Sequence, residues 1–151
     1  MLIYIGADHG GFKLKEYLKK FLLDKGYQVA DIGANAETKD DDYPDYAKAV
    51  AEKVSADPDG TRGIVICRSG FGVDIVANKF PGVRSALPVS TDHVYQARHD
   101  DNVNVLSLAA DFIVDEVEAA KITQVFLSTP FAKEEKYSRR LRKIADIENA
   151  V

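Results

Sequence analysis

A single cysteine, Cys67, stands in this 151-residue chain, which excludes an internal disulfide framework and any metal site built from several cysteines. Long apolar runs are missing too. Nothing approaches the ~20 apolar residues that a membrane helix needs, and the N-terminus enters Leu2-Ile3-Tyr4-Ile5 without a basic leader. These absences point to a cytoplasmic chain that neither crosses nor partners a membrane. Positive charge is not in excess: a formal net charge of −4 argues against nucleic acid as a general partner. Internal repeats and low-complexity tracts are also lacking. What remains is 46% apolar and 29% charged sequence, enough for one soluble domain spanning residues 1–151 with a hydrophobic core of its own.

Short apolar runs alternate with amphipathic stretches. Leu2 to Ile5 reads as a strand ended by Gly6, followed by a helix with Leu14, Leu18, Phe21 and Leu22 on one face and Gly26 as its stop. Tyr27 to Ile32 is a second strand, and Gly33 to Asp42 an acidic surface loop. Pro44 suits the first turn of a helix carrying Ala47, Val50, Ala51 and Val54 inward. Ile64 to Cys67 is apolar on both faces, as a central parallel strand should be. A helix from about Gly72 to Lys79, a strand from Val83 to Val89, a helix from Thr91 to about Asp100, a strand from Val103 to Leu108 and a helix from Val114 to Leu127 follow. A last helix, about 134–149, shows Tyr137, Leu141, Ile144 and Ile147 on one side and suits packing on a partner subunit. The fold class expected is α/β: a Rossmann-like, doubly wound, five-stranded parallel sheet with an extra C-terminal helix.

The chemistry concentrates where the third strand ends, in Cys67-Arg68-Ser69-Gly70-Phe71-Gly72-Val73-Asp74. Ligands of open α/β sheets bind at such strand ends, and a glycine-spaced turn into a helix aims free N–H groups at them. A lone cysteine on an apolar strand is also commonly just a small buried hydrophobe. A dinucleotide loop does not fit, because Ile75 stands where a third glycine is needed. A cysteine phosphatase would need an arginine where Val73 and Asp74 stand. A base or nucleophile facing an oxyanion cradle remains. Asp8-His9-Gly10-Gly11, at the end of strand one, lines the same cleft if strands one and three are neighbours; the plainer reading makes Asp8 a helix cap and His9 solvated. Arg98-His99-Asp100-Asp101-Asn102 reads as charged surface, and the basic residues of the last helix as a solvated face or a phosphate-recognition patch.

Asp8-His9-Gly10-Gly11-Phe12, Asp42-Tyr43-Pro44, Cys67-x-Ser69-Gly70-x-Gly72, Ala77-Asn78-Lys79-Phe80 and Asn104-Val105-Leu106, in this order, resemble the type B ribose-5-phosphate isomerases and the related galactose-6-phosphate isomerase subunits. The resemblance implies aldose–ketose isomerisation of a phosphorylated sugar without metal or cofactor. It also implies a homodimer, or a dimer of dimers, whose active sites draw on both subunits. Carried over, Cys67 would be the base and Ser69 a proton shuttle. The N–H groups of Gly70, Phe71, Gly72 and Val73 would hold the enediolate. Asp8 and Tyr43 would contact substrate, and His9 would join the phosphate site.

Departures fall on the substrate side. Asp100 stands where the family has its ring-opening histidine, with His99 one place early, and Asp101 replaces the usual asparagine. Asp111 replaces an arginine, Lys136 takes the first arginine position of the last helix, and Arg140 matches the second. Arg68, where the family has glycine, offers a guanidinium that could compensate. Ribose 5-phosphate is the default substrate. The alternatives are a non-catalytic or altered-specificity sugar-phosphate-binding paralogue and, further off, a thiol redox sensor.

Overall fold

The computed structural model describes residues 1–113 and 115–150. Strand β1 (Leu2–Ala7) leads to helix α1 (Phe12–Asp24), β2 (Gln28–Asp31), α2 (Tyr43–Ala56), β3 (Thr61–Cys67), α3 (Phe71–Ala77), β4 (Ser85–Ala86), α4 (Thr91–Asp101), β5 (Val105–Ala109), α5 (Glu116–Ser128) and α6 (Glu135–Glu148). The expected start of α5 at Val114 lies outside the described residues; Asp115 caps the helix by accepting from the Glu118 amide at 2.8 Å.

All five strands are parallel, in the order β2-β1-β3-β5-β4. Right-handed crossovers then dictate the layers. The connections β1→β2 and β4→β5 run one way across the sheet and put α1 and α4 on one face. The connections β2→β3 and β3→β4 run the other way and put α2 and α3 on the opposite face. The core divides accordingly. Leu14, Leu18, Leu22, Val94, Ile122 and Phe126 pack on one side with Ile3, Ile5, Ile64 and Ile66. Ala47, Val50, Ala51, Val54, Val73 and Ala77 pack on the other with Val65 and Cys67. A sheet covered on both faces explains why β3 is apolar at every position from Ile64 to Cys67.

The elements differ from the sequence expectation in two instructive places. Gly6 does not end β1; the strand runs through it to Ala7. A Cβ there would meet Val50 Cγ2 at 2.9 Å and the Tyr46 carbonyl at 3.3 Å, so the glycine lets α2 lie close on the strand. The fourth strand shrinks from Val83–Val89 to Ser85–Ala86. It is the sheet edge, the Val83 amide already bonds Phe80 O in a turn, and Pro88 has no amide for the ladder.

Lys15 is fully buried, and its ammonium bonds Asp31 at 2.5 Å and Glu16 at 2.8 Å, clamping α1 to β2. Helix α6 packs against α4 but buries none of its own residues, leaving Ile147 66% exposed. No helix among the described residues is long and apolar enough to cross a membrane.

Candidate active site

Strand β3 lies between β1 and β5 and ends in Cys67, which is level with Ala109 of β5; Ala7 of β1 is level with Ile66. Asp8 therefore leaves β1 beside the cysteine. Cys67 is 5% exposed, and the Gly70 amide donates to its Sγ at 3.2 Å. A donor on the sulfur stabilises negative charge there. Gly70 holds a φ of 76°. A Cβ on it would sit 2.5 Å from Leu87 Cδ1 and 3.2 Å from the Ala109 amide, so both conformation and space require glycine. The first helical bond of α3 runs from Asp74 N to Gly70 O. The amides of Phe71, Gly72 and Val73 thus precede the helical ladder and face the strand end. The Gly70 amide, expected to serve the oxyanion cradle, is directed at the sulfur.

Glycines also draw the other parts in. A Cβ on Gly72 would lie 2.5 Å from Tyr43 Cζ, so the Tyr43 ring rests on the first turn of α3. A Cβ on Gly11 would strike Ile66 O at 2.6 Å, which lets the entry to α1 press against β3. The stem of Arg68 crosses Gly10, whose Cβ would fall 2.5 Å from Arg68 Cγ. Asp8, His9, Tyr43, Cys67, Arg68, Ser69 and the α3 amides therefore form one cluster. Asp8 is not the α1 cap. The N-cap is Gly11, and Asp8 Oδ1 accepts from the Gly11 amide at 3.1 Å one turn earlier. Burial pushes the Asp8 carboxyl above its ordinary value, against the pull of that amide. Ser69 and Phe71 border a cavity of about 320 Å³ with Leu87, Pro88 and Ala109.

Two arrangements were not evident in the chain. Asp41, from the acidic loop, accepts from the His9 amide at 2.8 Å and lies 2.5 Å from His9 Nδ1. Asp8, His9 and Asp41 each bring a ligand-type atom within 4.8 Å of the others, but His9 Nδ1 and Asp41 Oδ1 are committed to one another. Asp111 is 3.6 Å from Arg68 Nη1 and donates its amide to Arg68 O. Both side chains are well exposed, so the pair adds little stability; its effect is to put a cation and an anion together at the mouth.

The remaining expected site residues lie elsewhere. Helix α4 leaves the carboxyl edge of the sheet after β4 and runs back to the start of β5, so His99, Asp100 and Asp101 are at the amino edge. Cys67 is level with Ala109 and Gly63 with Val105. The two edges are therefore about 13 Å apart along the strands. At that second edge His99 Nδ1 is 2.6 Å from Asp100 Oδ1, and the imidazole stacks on Tyr95 and meets Tyr137 edge-on. The His99 hydrogen bond, helped by the Tyr137 hydroxyl, holds the Asp100 carboxyl below its ordinary range. Lys136 and Arg140 both stand over the Tyr137 ring, and Lys136 pairs with Glu134 at 3.1 Å. Arg98, buried, bonds Thr129 O, Asn102 Oδ1 and Val103 O and fixes the end of α4. Burial, with Arg62 and Arg84 nearby, lowers its pKa to about 10. One chain thus carries two clusters on opposite edges.

The fold and the cluster define an α/β protein with a candidate active site at the carboxyl edge of a parallel sheet. The Ribose/Galactose Isomerase family model matches residues 3–144. The probable ribose-5-phosphate isomerase B of Mycoplasma genitalium is 42% identical over 142 residues, 94% of this chain and 92% of that relative. Its crystal structure with bound ribulose-5-phosphate superposes with a TM-score of 0.95 at 40% identity, covering 99% of this chain and 97% of that one. Ribose-5-phosphate isomerase B of Clostridium thermocellum gives 0.93 at 36% identity, covering 99% of each. The chain belongs to the Ribose/Galactose Isomerase family.

Proposed function

We propose that this protein interconverts ribose 5-phosphate and ribulose 5-phosphate, with Cys67 as the base. The observation that carries the reading is the Gly70 amide on Cys67 Sγ beside three amides free of the helical ladder. The relative solved with ribulose-5-phosphate supports the choice of sugar.

In the open-chain aldose, the Cys67 thiolate removes the proton from C2. The C2 electron pair moves into a C1–C2 double bond, and the carbonyl oxygen becomes the oxyanion of an enediolate. The Phe71, Gly72 and Val73 amides stabilise that charge, which is absent from the ground state. Ser69 passes the proton of the C2 hydroxyl to O1, and Cys67 returns its own proton to C1, giving the ketose with atoms and charge conserved. Tyr43 and Asp8 border the sugar, and His9 with Arg68 faces its phosphate.

The second cluster completes the site of a second copy. In this reading two chains pair so that His99, Asp100, Asp101, Lys136 and Arg140 of one face Cys67 of the other. The unburied apolar side of α6 supports such pairing. The His99–Asp100 pair then assists ring opening as a unit, the carboxylate toward the sugar and the imidazole supplying the proton. Isomerisation and C2-proton exchange on a panel of sugar phosphates test the proposal. Cys67→Ala is expected to abolish both while leaving binding intact, and unchanged turnover in that variant would end the role of Cys67.

A further inference from the structure

The geometry points to Asp41 as a positioning residue: it fixes the His9 ring so that Nε2 is the atom presented to the substrate phosphate. This rests on the reading that His9 lies in the phosphate site. His9 supplies two hydrogen bonds to Asp41, one from its amide and one from its ring. The side chain is only 10% exposed, and its Oδ2 is buried without a hydrogen-bond partner. Asp40 precedes it with a left-handed φ of 65°. A largely buried carboxylate held twice by one residue serves the imidazole it holds rather than the loop it belongs to.

The consequence is chemical. With Nδ1–H given to Asp41, a neutral His9 ring carries a lone pair on Nε2 and repels a phosphate dianion. Only the imidazolium has an Nε2–H to donate. Asp41 therefore makes the phosphate affinity depend on a charged His9. The groups facing the ring are arranged to keep that charge. The Asp41 hydrogen bond raises the His9 pKa, and the Asp8 and Asp41 charges add to it; partial burial and the Arg68 guanidinium oppose it. Burial alone would raise the Asp41 pKa, but the His9 amide and ring outweigh it and the carboxyl stays below its ordinary range. Tyr46, also close to Asp41, has its hydroxyl pKa raised, by burial first and then by the Asp41 carboxylate, and so remains neutral.

The test uses the full chain and the variants Asp41→Asn, His9→Asn and the double variant. It has two readouts: NMR titration of the His9 ring with and without inorganic phosphate, and the pH dependence of KM and kcat for ribose 5-phosphate. In the wild type, phosphate is expected to move the His9 midpoint to higher pH. In Asp41→Asn the midpoint falls and phosphate no longer moves it. KM at pH 8 rises about tenfold, the size of one charge-assisted hydrogen bond, with kcat within about twofold. In the His9→Asn background, Asp41→Asn adds nothing further. An unmoved His9 midpoint, a KM change equal at every pH, or an undiminished loss in the His9→Asn background would each overturn the proposal. If no sugar phosphate turns over, the isomerase reading falls while the phosphate titration still decides this one, and phosphate without effect on wild-type His9 refutes it. Should Asp41→Asn fail to fold, Asp41→Ser is judged by the same criteria.

Discussion

Replacing Gly70 by alanine should damage stability and catalysis together, and replacing Gly26 supplies the matched control. Both glycines have left-handed backbones, with φ of 76° and 81°. An alanine in that region costs about 1 kcal/mol. Gly26 has nothing within 4 Å of a built Cβ, so Gly26→Ala should lose only that amount. At Gly70 the methyl would meet Leu87 Cδ1 at 2.5 Å and the Ala109 amide at 3.2 Å. Leu87 can rotate away for about 1 kcal/mol. The β5 backbone cannot, and accommodating it adds about 1 kcal/mol more. The expected loss is about 3 kcal/mol against about 1, or about 9 °C in Tm against about 3 °C for a chain of this length. The displaced turn also carries the amide that bonds Cys67 Sγ and the three that follow, so kcat should fall about 100-fold, as for a lost oxyanion donor. Urea denaturation and steady-state isomerisation on the two variants decide the matter. Equal destabilisation at the two sites, or full activity in Gly70→Ala, would refute the assignment of Gly70 as a packed hinge for the cradle.

The Asp31 carboxyl is held below its ordinary value: burial, the largest single influence, raises it, but Lys15, Lys19 and the Gly33 amide outweigh that. A depressed folded-state pKa means that Asp31 stabilises the fold above its unfolded pKa and that this contribution disappears as pH falls toward the folded value. Asp31→Asn should therefore lower Tm at pH 7 and flatten its decline below about pH 4. Asp8 has the opposite sign, its raised pKa making the charged form unfavourable in the fold. Asp8→Asn should be at least as stable as wild type at pH 7, yet bind substrate less well, by thermal denaturation and KM. Arg68→Ala should shift Tm by less than about 3 °C, because its pair with Asp111 is exposed, while KM for a sugar phosphate rises. Mixing inactive Cys67→Ala with inactive Arg140→Ala chains should restore about a quarter of wild-type activity if sites are shared between two copies; no recovery after subunit exchange would place both clusters' functions within one chain.

The alternation of short apolar runs and amphipathic stretches was sufficient to specify a five-stranded, doubly wound sheet, because period and burial leave few other packings. Strand ends were less legible. Gly6 looked like a stop because glycine is usually one in a strand pattern, whereas here it answers the approach of Val50 from α2, which no local pattern reports. The sequence expectation for β4 runs too long because an apolar stretch does not reveal that it sits at a sheet edge with Pro88 in it. At the site, Cys67, Ser69 and the glycines were visible through their spacing. Asp41 was not: as one of three consecutive aspartates beside Asp40 and Asp42, it has the composition of solvated loop, and only the fold of residues 33–42 back over His9 distinguishes it.

The distribution of unusual residues follows from this geometry. The cluster around Cys67 sits where three elements are pressed together by Gly10, Gly11, Gly70 and Gly72, so a change in any of these backbones would move the whole cluster. Asp100, Asp101 and Lys136 lie on the other edge, on exposed or half-buried ends of α4 and α6. Arg68 and Asp111 fall between these cases, at the rim of the first cluster, where a cation just after β3 meets an anion just after β5. The turn after Cys67 is therefore held by backbone packing, whereas the second edge and the rim are set by more exposed side chains. That is why the residues around Cys67 were readable from local motifs, whereas the Asp41–His9 contact required the folded chain.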